Sequence, residues 1–166
     1  MAADVAYDPL RLLRTLHDGG VRFVAIGAFA GRLHGSPTMT RDLDICYDRD
    51  RENLESLATV LNGLQARLRV ADQNLPFRLD ARSLRAGDAF TFTTDAGDLD
   101  VLGTPSGTSG YDDLAAKAVP MEIDGVPVLV ASVDDLIRMK LAAGRPKDLI
   151  EAEILGALRE ELAAYG

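Results

Sequence analysis

Apolar positions change period several times along the chain, and each change marks an element. Over residues 8–20, Leu10, Leu13 and Leu16 recur at helical spacing, with Asp8 placed to cap the first turn, Pro9 inside it and two glycines at the end. "VRFVAIG" then reads as a buried strand, and Gly27 opens a short helix over residues 28–35. "RDLDICY" alternates carboxylate and apolar side chains at period two, which predicts a second strand. Helical spacing returns with Leu54, Leu57, Val60, Leu61 and Leu64, behind aspartates positioned to cap that helix.

Residues 88–103 predict a hairpin, with Phe90 and Phe92 alternating on its first strand and a turn at "TDAG". A Gly- and Ser-rich loop, "TPSGTSG", leads to a short helix at "YDDLAAKAV". "MEIDGVPVLVAS" predicts a second hairpin turning at Asp-Gly. Ser132 caps the next helix, with Asp135 completing a capping-box spacing. Gly144 ends that helix, and Pro146 sits in the first turn of the last one. No repeat, low-complexity segment or linker interrupts this order. The expectation is a single α/β (α+β) domain over residues 1–166, a mixed β-sheet flanked by helices.

Composition narrows the setting. With 47% hydrophobic residues in 166 the chain can bury a core, and with 5% aromatics and no Trp that core must be aliphatic. A formal charge of −8 argues against broad, non-specific binding to nucleic-acid duplexes. The five arginines between Arg67 and Arg85, set against Asp72 and Asp80, make one locally positive stretch, read as scattered surface charge. The lone Cys46 cannot form an internal disulfide and is expected to pack as a small apolar residue. The N-terminus has no leader pattern and no run approaches the ~18 apolar residues of a membrane span. A cytoplasmic setting is therefore expected, with no membrane partner.

Candidate chemistry concentrates in three places. Asp42 and Asp44 project from one face of a strand, where two like charges are costly unless solvent or a cation separates them. Hard carboxylate oxygens suit magnesium, with manganese the alternative. A lone D-x-D pair more commonly lines a solvated strand or caps a helix. Here Asp98 and Asp100 repeat the pattern in "GDLDVLG", so a neighbouring strand could add a third carboxylate. Gly27 at a strand-to-helix junction leaves backbone N–H groups open to a phosphate. Lys140, Arg145 and Lys147 cluster at a helix junction, with Asp148 placed to orient one of them. His17 and His34 are weaker candidates, His34 lying in "LHGSP" between Gly27 and Asp42. No spacing suggests covalent catalysis.

The segments "IGAFAGRLHGSPTMTRDLDI", "DLDVLG" and "VPVLVASVDDLIRMKLAAGRPKDL", in this order, resemble the nucleotidyltransferase superfamily with its polymerase-beta-like minimal fold. More closely they resemble toxin nucleotidyltransferases of the AbiEii/MenT type and their relatives. The resemblance implies a catalytic set of Asp42, Asp44, Asp100, Lys140 and Asp148, with Asp42, Asp44 and Asp100 as metal ligands. It implies nucleotide contacts from Gly27, Ala28, Thr40, Lys140, Arg145 and Lys147. The implied reaction moves a nucleoside monophosphate from a nucleoside triphosphate to an acceptor hydroxyl with magnesium as cofactor. A toxin of this kind would act on the tRNA acceptor end and be neutralised by an antitoxin partner. The alternatives are a small-molecule or protein acceptor, or a catalytically weak nucleotide-binding module. The sequence departs from the family at Ala28, where a serine or glycine is usual, so no side-chain hydroxyl is offered there.

Overall fold

A computed structural model of the protein describes residues 5–69 and 77–165. Asp72, and the first four residues of the N-terminus read above, lie outside these. The elements run α1 (Pro9–Asp18), β1 (Phe23–Ile26), α2 (Gly27–His34), β2 (Asp42–Tyr47), α3 (Arg51–Gly63), β3 (Arg67–Leu68) and α4 (Ala81–Ala86). They continue β4 (Ala89–Thr94), β5 (Gly97–Leu102), α5 (Tyr111–Lys117), β6 (Val119–Ile123), β7 (Val126–Val130), α6 (Val133–Ala143) and α7 (Pro146–Tyr165). The strands form one mixed sheet in the order β3-β4-β5-β2-β1-β7-β6. The β2–β5 and β1–β7 pairs are parallel and the others antiparallel. The expected α/β architecture with a mixed sheet is the one observed.

Local chemistry accounts for most boundaries. The Asp8 side chain accepts from Arg11 N, and the buried face of α1 is Leu12, Leu13 and Leu16, with Leu10 only half-buried. The β6–β7 hairpin closes through Asp124 (φ 49°) and Gly125 (φ 81°), a two-residue turn whose twist matches its strands. Pro120 lies in β6, which forms one edge of the sheet. Ser132 caps α6 by accepting from Asp135 N at 3.1 Å. The Asp135 carboxylate does not complete the box, because it pairs with Arg138 at 3.1 Å. The expected capping of α3 by aspartate side chains is also not observed. Asp48 and Asp50 are drawn instead to Arg22, at 2.9 and 3.3 Å. β3 and α4 have too few residues to show a period, so apolar patterning does not reveal them.

The core sits where apolar side chains of the sheet meet the helices. In β2, Leu43 and Ile45 are fully buried while Asp42 and Asp44 turn to the opposite face; in β5, Leu99 and Val101 do the same against Asp98 and Asp100. Cys46 is buried as expected, and burial pushes its thiol up to about 12, so it behaves as an inert apolar group.

Candidate active site

Register brings the carboxylates together. The parallel β2–β5 pairing sets Asp42 beside Asp98 and Asp44 beside Asp100. One oxygen each from Asp42, Asp44 and Asp100 lies within 4.8 Å of the others. The antiparallel β1–β2 pairing then sets Ile26 opposite Asp44, so that Gly27, the next residue, arches over the Asp44 carboxylate. A Cβ on Gly27 would lie 2.1 Å from Asp44 Oδ2, and the residue adopts φ +71°. Glycine is required here on both counts. Ile26 provides no side-chain cap to α2, which leaves the first N–H groups of that helix open at the cleft.

The cluster is electrostatically unsatisfied. Asp44 Oδ1 is buried and meets no hydrogen-bond donor among the described residues. Burial, followed by the negative charges of Asp42 and Asp100, pushes the Asp44 carboxyl up to about 8; Lys140 opposes this. Burial also raises the Asp100 carboxyl, against the pull of Arg69. Thr40 lies in the turn before β2, its hydroxyl 2.9 Å from Asp42 Oδ1, so it orients a carboxylate. Tyr7 donates its hydroxyl to the Asp42 carbonyl at 3.0 Å, and burial beside the carboxylates raises its pKa. Hard oxygens, a buried oxygen without a partner and a space that a Cβ would fill together fit a divalent cation.

The opposite wall of the cleft is the α6–α7 junction. Asp148 is 1% exposed. It accepts from Arg145 Nε at 2.6 Å and from Arg145 N at 3.2 Å, with Lys140 Nζ at 3.5 Å. The Arg145 hydrogen bond holds the Asp148 carboxyl below the usual carboxylate range. The cleft between the walls encloses about 540 Å³ and is lined by Ala28, Asp42, Asp44, Asp100, Lys140, Arg145, Lys147 and Asp148. An adjoining lobe of about 240 Å³ runs past Gly27 to apolar side chains, Leu102, Pro105, Leu136 and Met139. Thus the strand and helix candidates named from the sequence converge on one space.

Other candidates lie elsewhere. Asp98 is not part of the cluster; it bonds Arg69 and Thr93. His34 points its Nε2 to the Ala131 carbonyl at 2.8 Å, tying α2 to the start of α6. Arg51, Arg82 and Arg85 line a separate surface hollow, so the positive stretch of the sequence does not form one groove at the cleft. Sequence reasoning missed Arg69, whose guanidinium bonds Asp100, and Glu151, which lines both lobes and accepts from the Thr38 hydroxyl. The two-residue β3 gave no sign that Arg69, just beyond it, faces the cluster. The helical spacing of Glu151 from Asp148 (i, i+3) would have placed it on the same face.

No protein-family model matches the chain, and no curated protein matches it. Among solved structures, the lincosamide antibiotic adenylyltransferase LnuA, with lincomycin bound, superposes with a TM-score of 0.60 over 90% of this chain and 95% of its own, at 11% identity. The fold is that of nucleotidyltransferases. TM1012 of Thermotoga maritima, described as a putative nucleotidyltransferase, matches with a TM-score of 0.54 at 19% identity, covering 93% of this chain and 96% of its own. ANT(2'')-Ia in complex with adenylyl-2''-tobramycin gives 0.53 at 17% identity, covering 95% and 97%. The nucleotidyltransferase fold thus spans nearly the whole chain. Among the described residues no helix is long and apolar enough to cross a membrane.

Proposed function

We propose that the chain is a magnesium-dependent nucleotidyltransferase that moves a nucleoside monophosphate from a triphosphate to an acceptor hydroxyl. The observation that carries this reading is the unbonded, buried Asp44 Oδ1 within a three-carboxylate cluster, set against an open helix N-terminus. Asp42, Asp44 and Asp100 would hold the cation, which when bound supplies Lewis-acid neutralisation of phosphate charge. The open N–H groups at Gly27 and Ala28 receive phosphate oxygens. Lys140, Arg145 and Lys147 neutralise the triphosphate from the helical wall. The acceptor oxygen attacks the α-phosphorus as the bond to the leaving pyrophosphate breaks, and the hydroxyl proton passes to Asp100. Catalysis is then alignment and electrostatic preorganisation. Thr40 and Asp148 serve as orienting groups for Asp42 and for the cations.

For the acceptor we infer a small hydroxylated molecule. The similarity to structures of antibiotic adenylyltransferases supports this, as does the net charge of −8. The AbiEii/MenT reading, a toxin acting on the tRNA acceptor end with an antitoxin partner, is the second one and is supported by the order of the three sequence segments. Purified protein incubated with each labelled nucleoside triphosphate and magnesium, against total tRNA and a panel of hydroxylated antibiotics, distinguishes them. Label on a small molecule is the expected result; label on tRNA selects the toxin reading. No transfer to any acceptor, with Asp42→Ala indistinguishable from wild type, overturns both.

A further inference from the structure

Arg69 is demanded neither by the core nor by the chemistry above, yet its guanidinium makes three convergent contacts. It follows directly after the edge strand β3 and reaches across β4, where Nη1 donates to the Phe92 carbonyl at 3.0 Å. On β5, Nη1 lies 3.1 Å from Asp98 Oδ2, and Nη2 donates to Asp100 Oδ1. The Arg69 side chain is 29% exposed and that of Asp100 19%, so the pair is partly withdrawn from water. A charge-assisted bond in that setting outweighs an exposed ion pair. The second aspartate of the "DLD" repeat joins the carboxylate cluster, while the first holds Arg69 from its other side. Lys140, on the opposite wall of the cleft, is engaged with Asp148.

We propose that Arg69 is a built-in counter-ion for the third carboxylate, and that a divalent cation loads the site by taking Asp100 from it. The inference rests on the metal-site reading above. Three carboxylates within 4.8 Å repel one another, and a permanently charged guanidinium on the outer one lowers that repulsion before any cation arrives. The same bond uses a lone pair of Asp100 that a metal would need, so the two compete. Asp98 and the Phe92 carbonyl keep the released guanidinium on the outer side of Asp100. Arg69 is accordingly a positioning residue, acting through Asp100.

The test measures cation binding without nucleotide or turnover. Free Mn²⁺ is followed by electron paramagnetic resonance in titrations of wild type, Arg69→Gln and Arg69→Lys. Loss of the competitor should tighten Mn²⁺ binding by about tenfold in Arg69→Gln, with Arg69→Lys in between. In wild type, the arginine side-chain ¹⁵N signal that Arg69→Lys lacks should show hindered guanidinium rotation, released on adding Mg²⁺. Equal or weaker Mn²⁺ binding by Arg69→Gln, or rotation unchanged by Mg²⁺, overturns the proposal. If wild type still binds Mn²⁺ and Asp44→Asn does not, the metal-site reading survives that failure. Absence of Mn²⁺ binding in wild type and Arg69→Gln alike overturns both.

Discussion

On the strand wall of the cleft, Asp42, Asp44 and Asp100 are brought side by side by register, and one buried oxygen is left without a bond. On the helical wall Asp148 is buried more completely, yet receives donors from the Arg145 main chain, its guanidinium and Lys140. The first arrangement raises a carboxyl to about 8, and the second lowers one below its ordinary range. Burial and like charges dominate at the first acid, and donated hydrogen bonds dominate at the second. A wall that satisfies its own charges needs no ligand, whereas the unsatisfied wall fits the cation proposed for it.

The largest expected effect breaks the unsatisfied wall. Asp44→Asn should lower nucleotidyl transfer by ~10³-fold or more, read by labelled-triphosphate transfer, because it removes a charge that acts in the transition state. Gly27→Ala comes next. A Cβ placed 2.1 Å from Asp44 Oδ2 at φ +71° should cost ~1–3 kcal/mol in urea denaturation and ~10²-fold in rate. Asp148→Asn should act in the opposite manner, mainly on stability. Leaving Lys140 and Arg145 without their shared carboxylate should lower the melting temperature by roughly 5–10 °C, with a smaller loss of activity than Asp44→Asn. If Asp148→Asn instead melts like wild type, the contrast between the walls is lost.

The smallest effect sharpens the contrast through pH. A carboxyl raised from 3.8 to about 8 contributes stability that is complete below 3.8 and is lost as pH rises toward 8. Asp148, shifted the other way, contributes above its unfolded value and loses that contribution as pH falls. In EDTA, the melting temperature of Asp44→Asn minus that of wild type should therefore grow between pH 5 and pH 8, by a few degrees. A difference that stays constant would show that Asp44 is not held protonated.

The sequence made the site legible where two periodicities met. Period-two alternation put Leu43 and Ile45 in the core and the aspartates outside it, and repetition of the pattern at Asp98 and Asp100 marked a second strand. Their parallel pairing was not legible, since strand order depends on contacts distant in the chain. Nor did the pattern reveal that only Asp100 of the second pair enters the cluster. Arg69 went unread because two residues carry no period, and a positive stretch resembles solvated charge until its fold is known. The aspartates before α3 were misread for a related reason. They have the right side chains for capping, but Arg22, 26 and 28 residues away in sequence, competes for them and wins.

Pro120 bears on a different hazard, self-association. Among the described residues, the seven-stranded sheet of this 47% hydrophobic chain ends at β3 and at β6, the two borders along which a further chain could dock strand to strand. At one border the terminal strand is only Arg67–Leu68, too short to template an intruder. At the other, Pro120 removes a backbone donor from β6 and Glu122 adds an exposed charge, so the ladder cannot be extended without loss. Substituting both by valine would recreate a continuous apolar border, and with it a route to aggregation that the native sequence closes at two positions.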